Sequence, residues 1–262
     1  MFLSNLNYRH LFVWAAVGIF FSSCSRYYYQ PNAVNAPMLK ERNDLKIGLN
    51  GSFGSEDLNN ATNTSTVLNF HAAYSPVKYV GLMTTFSNYR YDFNESNEDP
   101  TTGDVDAHAT LFEGGVGGYY PLIEKDNGLK LIADTYVGYG GGKLNSDVKM
   151  DFNRLFVQPG LNLTFPYFDV GLAARISGIK YSNFDANGMN EAYVESRGLT
   201  NIEDKRHFFI EPALTMRGGY KFIKGQIQLV KSAAFDNIEW NANSSMITLG
   251  VHFSLEEFWK MQ

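Results

Sequence analysis

Cysteine is almost missing from this 262-residue chain, which has one, Cys24. No disulfide can therefore form within it. Charge is sparse as well: charged residues make up 19%, the net charge is −5, and no basic block exceeds a few residues. Nucleic-acid phosphates are held by clustered Lys and Arg, so nucleic acid is not an expected partner. The apolar run Leu11–Phe21 covers about 11 residues, against the roughly 20 that a helix needs to cross a bilayer. Catalytic signatures are lacking too. His71, His108, His207 and His252 sit on separate segments with no HExxH or GxSxG motif around them, and His10 lies near the start.

Aromatics reach 15%, with 16 Tyr and 20 Phe, beside 24 Gly. Aromatic and β-branched side chains suit a pleated surface, so this mixture favours strands. From Asp44 onward apolar residues alternate with small or polar ones in about ten stretches. Leu45, Ile47, Leu49 and Phe53 oppose Lys46, Gly48, Asn50 and Ser52. The same alternation recurs from Leu68 to Ser75, Tyr79 to Ser87, Phe112 to Tyr120, Leu129 to Val137, Arg154 to Phe165, Asp169 to Ser177, His207 to Arg217, Gln226 to Leu229 and Ile247 to Ser254. The last stretch ends near Phe258 and Trp259.

A soluble sandwich would alternate in the same way. Three features favour a membrane. No charge falls in the centre of the apolar faces, where Arg or Lys would cost about 2–4 kcal/mol. Tyr74, Tyr120, Tyr139, Phe165 and Tyr220 fall near strand ends, as in an interfacial girdle. Connections after strands two, four, six and eight are brief, whereas those after one, three, seven and nine are longer; the one after strand five is intermediate. Short inner turns and long outer loops are the habit of transmembrane barrels. The expected fold is therefore all-β, an antiparallel up-and-down transmembrane β-barrel of about ten strands, with eight possible. Both termini then lie on the short-turn, periplasmic side.

The inward faces carry Lys46, Glu113, Lys130, Asp134, Arg154, Arg175, Glu211 and Arg217. In so small a barrel these side chains nearly fill the lumen, so mutual pairing is favoured over a narrow channel. A surface enzyme would need partnered groups at the rim. His108 with Asp104 and Asp106, and His207 with Asp204, are the candidates, although such residues are far more often only solvated. The same groups could in principle hold a metal, but the expectation is no catalytic residue and no metal. Asn183–Gly188 resembles the start of a calcium loop, but it opens on Asn and its acidic residue, Glu195, comes one place late; an Asx turn explains it better. The Asp92–Asp106 segment is acidic.

The N-terminus carries Arg9 and His10, then the short apolar run, then Phe21-Ser22-Ser23-Cys24. That order reads as a signal peptide, and its end resembles the lipobox of bacterial lipoproteins, although Phe21 departs from the usual Leu. The resemblance implies a lipid on Cys24, and Ser25 after it fits sorting to the outer membrane. The expected organisation is a signal peptide over 1–23, a lipidated tether over 24–43 and a barrel over 44–262. Pro31 and Pro37 make the tether extended and aperiodic. Tyr27-Tyr28-Tyr29 suits a membrane interface, or packing on the barrel rim. The whole pattern resembles outer-membrane barrel lipoproteins of the kind common in Bacteroidota. It implies a location in the bacterial outer membrane, contact with its lipid and with other outer-membrane proteins, and no cofactor beyond the covalent lipid. A non-catalytic structural or accessory subunit of an assembly for protein insertion, secretion or uptake is the leading expectation; a small specific porin and a surface hydrolase are the alternatives.

Overall fold

The computed structural model describes residues 28–58, 61–93 and 105–256. Its strands are β1 (Leu45–Leu58), β2 (Ala61–Val77), β3 (Val80–Phe93), β4 (Val105–Glu124), β5 (Lys130–Asn145), β6 (Lys149–Thr164), β7 (Phe168–Asp185), β8 (His207–Tyr220), β9 (Ile223–Lys231), β10 (Ala233–Ala234) and β11 (Ser245–Ser254). A single-turn helix, α1 (Glu191–Ser196), interrupts the β7–β8 connection, with Asn190 capping its start. The signal peptide, Cys24, residues 94–104 of the acidic loop, and Phe258 with Trp259 lie outside the described residues.

Each long strand pairs antiparallel with its neighbour in the chain, and β11 pairs with β1 to close the ring. The result is a closed barrel of ten strands among the described residues, with β10 as a short addition to β8. Closure leaves no unpaired sheet edge. The ten barrel strands run from 9 residues in β9 to 20 in β4, at or above the roughly 9–11 that a tilted strand needs to cross a bilayer core. Pro159 sits within β6, yet the β6–β7 register is continuous from Val157↔Ile176 to Gly160↔Ala173 across it. A proline can supply no N–H there, and the ladder tolerates the gap.

The expected face assignments hold along the strands. Apolar members such as Leu49, Phe70, Leu82, Phe112, Val137, Leu155, Leu172, Phe208 and Leu249 are exposed on the outer wall. Charged and amide side chains are buried inside. This is a globular protein turned inside out, and an exposed apolar band of that extent is foreign to a monomer in water.

At the short-turn end the connections are Lys78–Tyr79, Lys125–Leu129, 165–167 and 221–222. Aromatics ring this end: Tyr79 packs on Tyr120 at 5.3 Å, Tyr167 on Tyr220 at 6.3 Å and Tyr220 on Phe222 at 5.7 Å. Tyr139, expected in such a girdle, instead lies within β5 opposite Gly114. The connection after β1, expected to be long, is also different. β1 runs on to Leu58 and β2 begins at Ala61, so only 59–60 separate them. Thr66 and Val67 at the start of the described part of β2 fit this, because β-branched residues extend a ladder even when they are polar.

Candidate functional site

An extended chain inside a barrel carries backbone N–H and C=O groups that water cannot reach, and each needs a partner. Residues 28–43 are such a chain. The segment expected to be a free tether runs through the lumen, with Asn32, Ala33, Val34, Met38 and Leu39 all buried. Pro31 and Pro37 deny it a helix, so side chains of the barrel wall supply its hydrogen bonds.

The segment is pinned first at the long-connection end. The Tyr28 N–H donates to the Asn241 carbonyl at 3.0 Å, and the Asn243 N–H to the Tyr29 carbonyl at 2.8 Å. Tyr29 and Ala242 form a parallel bridge. Asp147, in the β5–β6 turn, accepts from the hydroxyls of Tyr28 at 2.9 Å and Tyr193 at 2.6 Å. Tyr28 and Tyr29 are therefore inside the barrel mouth and not at a lipid interface.

Asn32 occupies the middle of the lumen. Its amide donates to Glu113 Oε2 at 2.9 Å and to Ser87 Oγ at 3.1 Å, and its Oδ1 accepts from Arg154 Nη2 at 2.7 Å. Arg154 grips Glu113 through two bonds, Nε to Oε1 at 2.7 Å and Nη2 to Oε2 at 2.5 Å. Next to them Arg175 Nε donates to Glu211 Oε2 at 2.6 Å, and Arg175 Nη2 to the Asn32 carbonyl at 3.3 Å. The Tyr29 hydroxyl also donates to Glu211.

Below this layer the wall imitates a neighbouring strand. Gln228 Oε1 accepts from the Val34 N–H and Gln228 Nε2 donates to the Val34 carbonyl, both at 2.8 Å. Gln158 Nε2 donates to the Asn35 carbonyl at 2.7 Å and Arg217 Nη2 to the Ala36 carbonyl at 2.8 Å. Two inward glycines make room for Met38 and Leu39. A Cβ at Gly81 would lie 2.8 Å from Leu39 Cδ1, and one at Gly171 would lie 2.5 Å from Met38 Cε. Leu39 closes an apolar cluster with Ile132, Tyr136 and Phe156. The chain then leaves at the short-turn end, where the Asn43 N–H donates to the Ser75 carbonyl at 2.7 Å, and enters β1.

Of the expected lumen residues all but Lys130 are buried; Lys130 is half-buried at the short-turn rim, 2.5 Å from Glu124. The mutual pairing expected of them forms for Glu113 with Arg154 and for Glu211 with Arg175. Lys46 pairs instead with Asp44 at 2.9 Å. Asp134 accepts from Asn162 Nδ2 at 2.9 Å, and Arg217 serves Ala36 and Gln226, so both are held by amides. Asn32, Asn35, Gln158 and Gln228 were not singled out from sequence. Inward glutamines were the available signal, because an amide offers both a donor and an acceptor to a passing backbone.

Internal cavities at the two ends measure about 30 Å³, beside Tyr29 and Arg154, and about 10 Å³, beside Met38 and Lys224. The first is room for a water or two, not a bore. The rim histidines do not converge. His108 is exposed on the outer wall, 3.1 Å from Asn145 Nδ2, whereas His207 is buried inside, 3.1 Å from the Ile202 carbonyl and packed on Trp240. The Asn183–Gly188 stretch is an Asx turn, with the Asn187 N–H donating to Asp185 Oδ1 at 2.8 Å.

No family model matches the chain, and no curated protein matches its sequence. Among solved structures it is similar to the transport unit of the autotransporter AIDA-I from Escherichia coli, at 10% identity and a TM-score of 0.44 over 85% of this chain and 92% of that one. It is similar at 10% identity to an outer membrane channel from Pseudomonas putida F1, with a TM-score of 0.41 over 85% and 99% of the two chains. The outer membrane protease OmpT from Escherichia coli superposes at 10% identity and a TM-score of 0.30, over 80% and 95%. These superpositions are loose, and the barrel is established by the chain's own strand pairing.

Proposed function

We propose that this chain is a lipid-anchored outer-membrane barrel that serves as a non-catalytic structural or accessory subunit of a larger outer-membrane assembly. The observation that carries this reading is residues 28–43, bonded through the lumen from mouth to mouth. A wall that devotes Arg154, Arg175, Arg217, Gln158 and Gln228 to one of its own segments fills the lumen among the described residues, which argues against an aqueous path for a solute. The exposed apolar wall supports a bilayer as the barrel's surroundings. The short turns face the periplasm, and the long connections, where barrels usually make contacts, face outward.

The threading sets where the described chain enters and leaves the barrel. Tyr28 sits at the long-connection end and β11 ends at the short-turn end, so the described chain begins and ends at opposite mouths. The expectation of both termini on the periplasmic side took 24–43 for a tether hanging below β1.

A tagged pull-down from native membranes in mild detergent tests the reading. A stoichiometric outer-membrane partner supports it, and recovery of a solitary monomer speaks against it. Planar-bilayer recording adds a second check, since steady conductance above leak would favour the porin alternative.

A further inference from the structure

The outer wall carries an apolar groove of about 760 Å³ where β4 to β8 run side by side. That volume falls within the range of small-molecule sites, about 300–1,000 Å³. Its sides are the outward side chains of Val116, Tyr139, Leu155, Ile176 and Phe208. Its depth comes from Gly114, which points outward between Phe112 and Val116 and at which a Cβ would meet nothing within 4 Å.

The edge of the groove toward the long connections is Arg206. Its stem lies flat on the wall over Gly178, where a Cβ would come within 2.9 Å of Arg206 Cδ. Arg206 Nη1 donates to the Gly178 carbonyl at 2.7 Å and Nη2 to Asn153 Oδ1 at 2.8 Å. Both acceptors are neutral. Among the described residues no carboxylate pairs with Arg206, while the nearby acid Asp151 is engaged by Lys143 at 3.7 Å and by Asn183 at 2.7 Å. Lys180, the cross-strand partner of Asn153, adds a second cation, bonded to the Glu203 carbonyl. The guanidinium is thus fixed in position, unneutralised, and set where an apolar wall gives way to polar loops.

An occupant must be apolar along its length and anionic at the end nearest the long connections. A guanidinium matches phosphate oxygens in charge and in planar geometry. We propose that this groove holds one bilayer lipid of net negative, phosphate-bearing headgroup, its acyl chain across Gly114 and its phosphate on Arg206. The proposal rests on the reading that the barrel spans a membrane.

The test uses the full chain, purified in detergent and titrated with phosphatidylglycerol or phosphatidylcholine, with retained lipid counted by native mass spectrometry. Wild type retains one phosphatidylglycerol in preference to phosphatidylcholine by about 10-fold, the scale of one charge-assisted bond. Arg206→Gln loses that preference, and Gly114→Leu, whose Cβ meets nothing within 4 Å and whose side chain projects into the groove, loses retention of both lipids. Heat-dependent gel mobility verifies that each variant is folded. Absence of a preference in wild type, or undiminished retention by Gly114→Leu, overturns the proposal while leaving the barrel reading intact. Loss of a protein partner from Gly114→Leu at constant lipid count makes the groove a protein seat and also overturns it. A chain that does not enter bilayers at all overturns both.

Discussion

Replacing Glu113 with Ala tests whether the lumen is dry. Arg154 is 1% exposed and gives Glu113 two of its bonds, so the substitution strands a guanidinium inside the barrel. Breaking a buried pair from one side costs about 3–5 kcal/mol, because the remaining charge stays desolvated. Asn32 loses its carboxylate acceptor at the same time, although Ser87 and Arg154 still bond it. The double variant Glu113→Leu/Arg154→Met removes both charges and leaves Asn32 bonded through Ser87, with its Oδ1 unmet, a loss of about 1–3 kcal/mol. It is therefore expected to be more stable than Glu113→Ala alone, a non-additivity that identifies direct coupling. Equilibrium urea unfolding in lipid vesicles, followed by tryptophan fluorescence, measures both. Trp240 is buried against Tyr181 and His207 and reports the packed mouth. A loss below about 1 kcal/mol for Glu113→Ala, the range of a solvated pair, would refute the reasoning, since it would mean that water fills the lumen and screens Arg154.

Gln228→Leu removes both amide bonds to Val34 and should cost about 1–3 kcal/mol in the same assay, with the loss of packing small because the volumes are similar; an unchanged midpoint would disprove the strand-like pairing. Deleting residues 28–38 should open a path through the lumen, seen in planar bilayers as conductance that the intact chain lacks. Val137→Arg places a cation on the outer wall, where Val137 is 50% exposed, and should destabilise the barrel by about 2–4 kcal/mol in vesicles; a neutral effect there would mean that this face meets water. Tyr28→Phe removes the bond to Asp147 and should leave conductance unchanged while lowering stability by about 0.5–1.5 kcal/mol.

The wall was legible in the sequence because its information is local. Alternation along β6, with Arg154, Gln158 and Asn162 against Leu155, Val157 and Leu161, assigns each side chain to a face without knowledge of any neighbour. The same parity placed Glu113, Arg175, Glu211 and Arg217 inside. The pairing of Asp134 with Asn162 was not legible, since the register between β5 and β6 decides it, and that of Lys46 with Asp44 was missed because Asp44 lies just before the first alternating stretch. Residues 28–43 were illegible for a stronger reason. An extended segment that borrows its partners from Gln228, Gln158, Arg217 and Arg154 has no period of its own, and those partners lie more than 100 positions away. Pro31 and Pro37, which suggest a loose tether, serve equally well to keep a chain straight inside a lumen. The start of β2 was misread because polar residues such as Ser65 and Thr66 suggest a loop when the ladder is not in view.

The central claim is that the N-terminal segment fills the lumen of a membrane-embedded barrel, and thiol accessibility of Val34→Cys in native membranes tests it most directly. Val34 is 1% exposed. A water-soluble maleimide should leave Val34→Cys at the background level of the parent chain until the barrel is unfolded, while Asn187→Cys, in the exposed turn after β7, reacts at once. Labelling of Val34→Cys at the rate of Asn187→Cys in the folded barrel would contradict the account, because the segment would then be a free tether and the lumen an open channel.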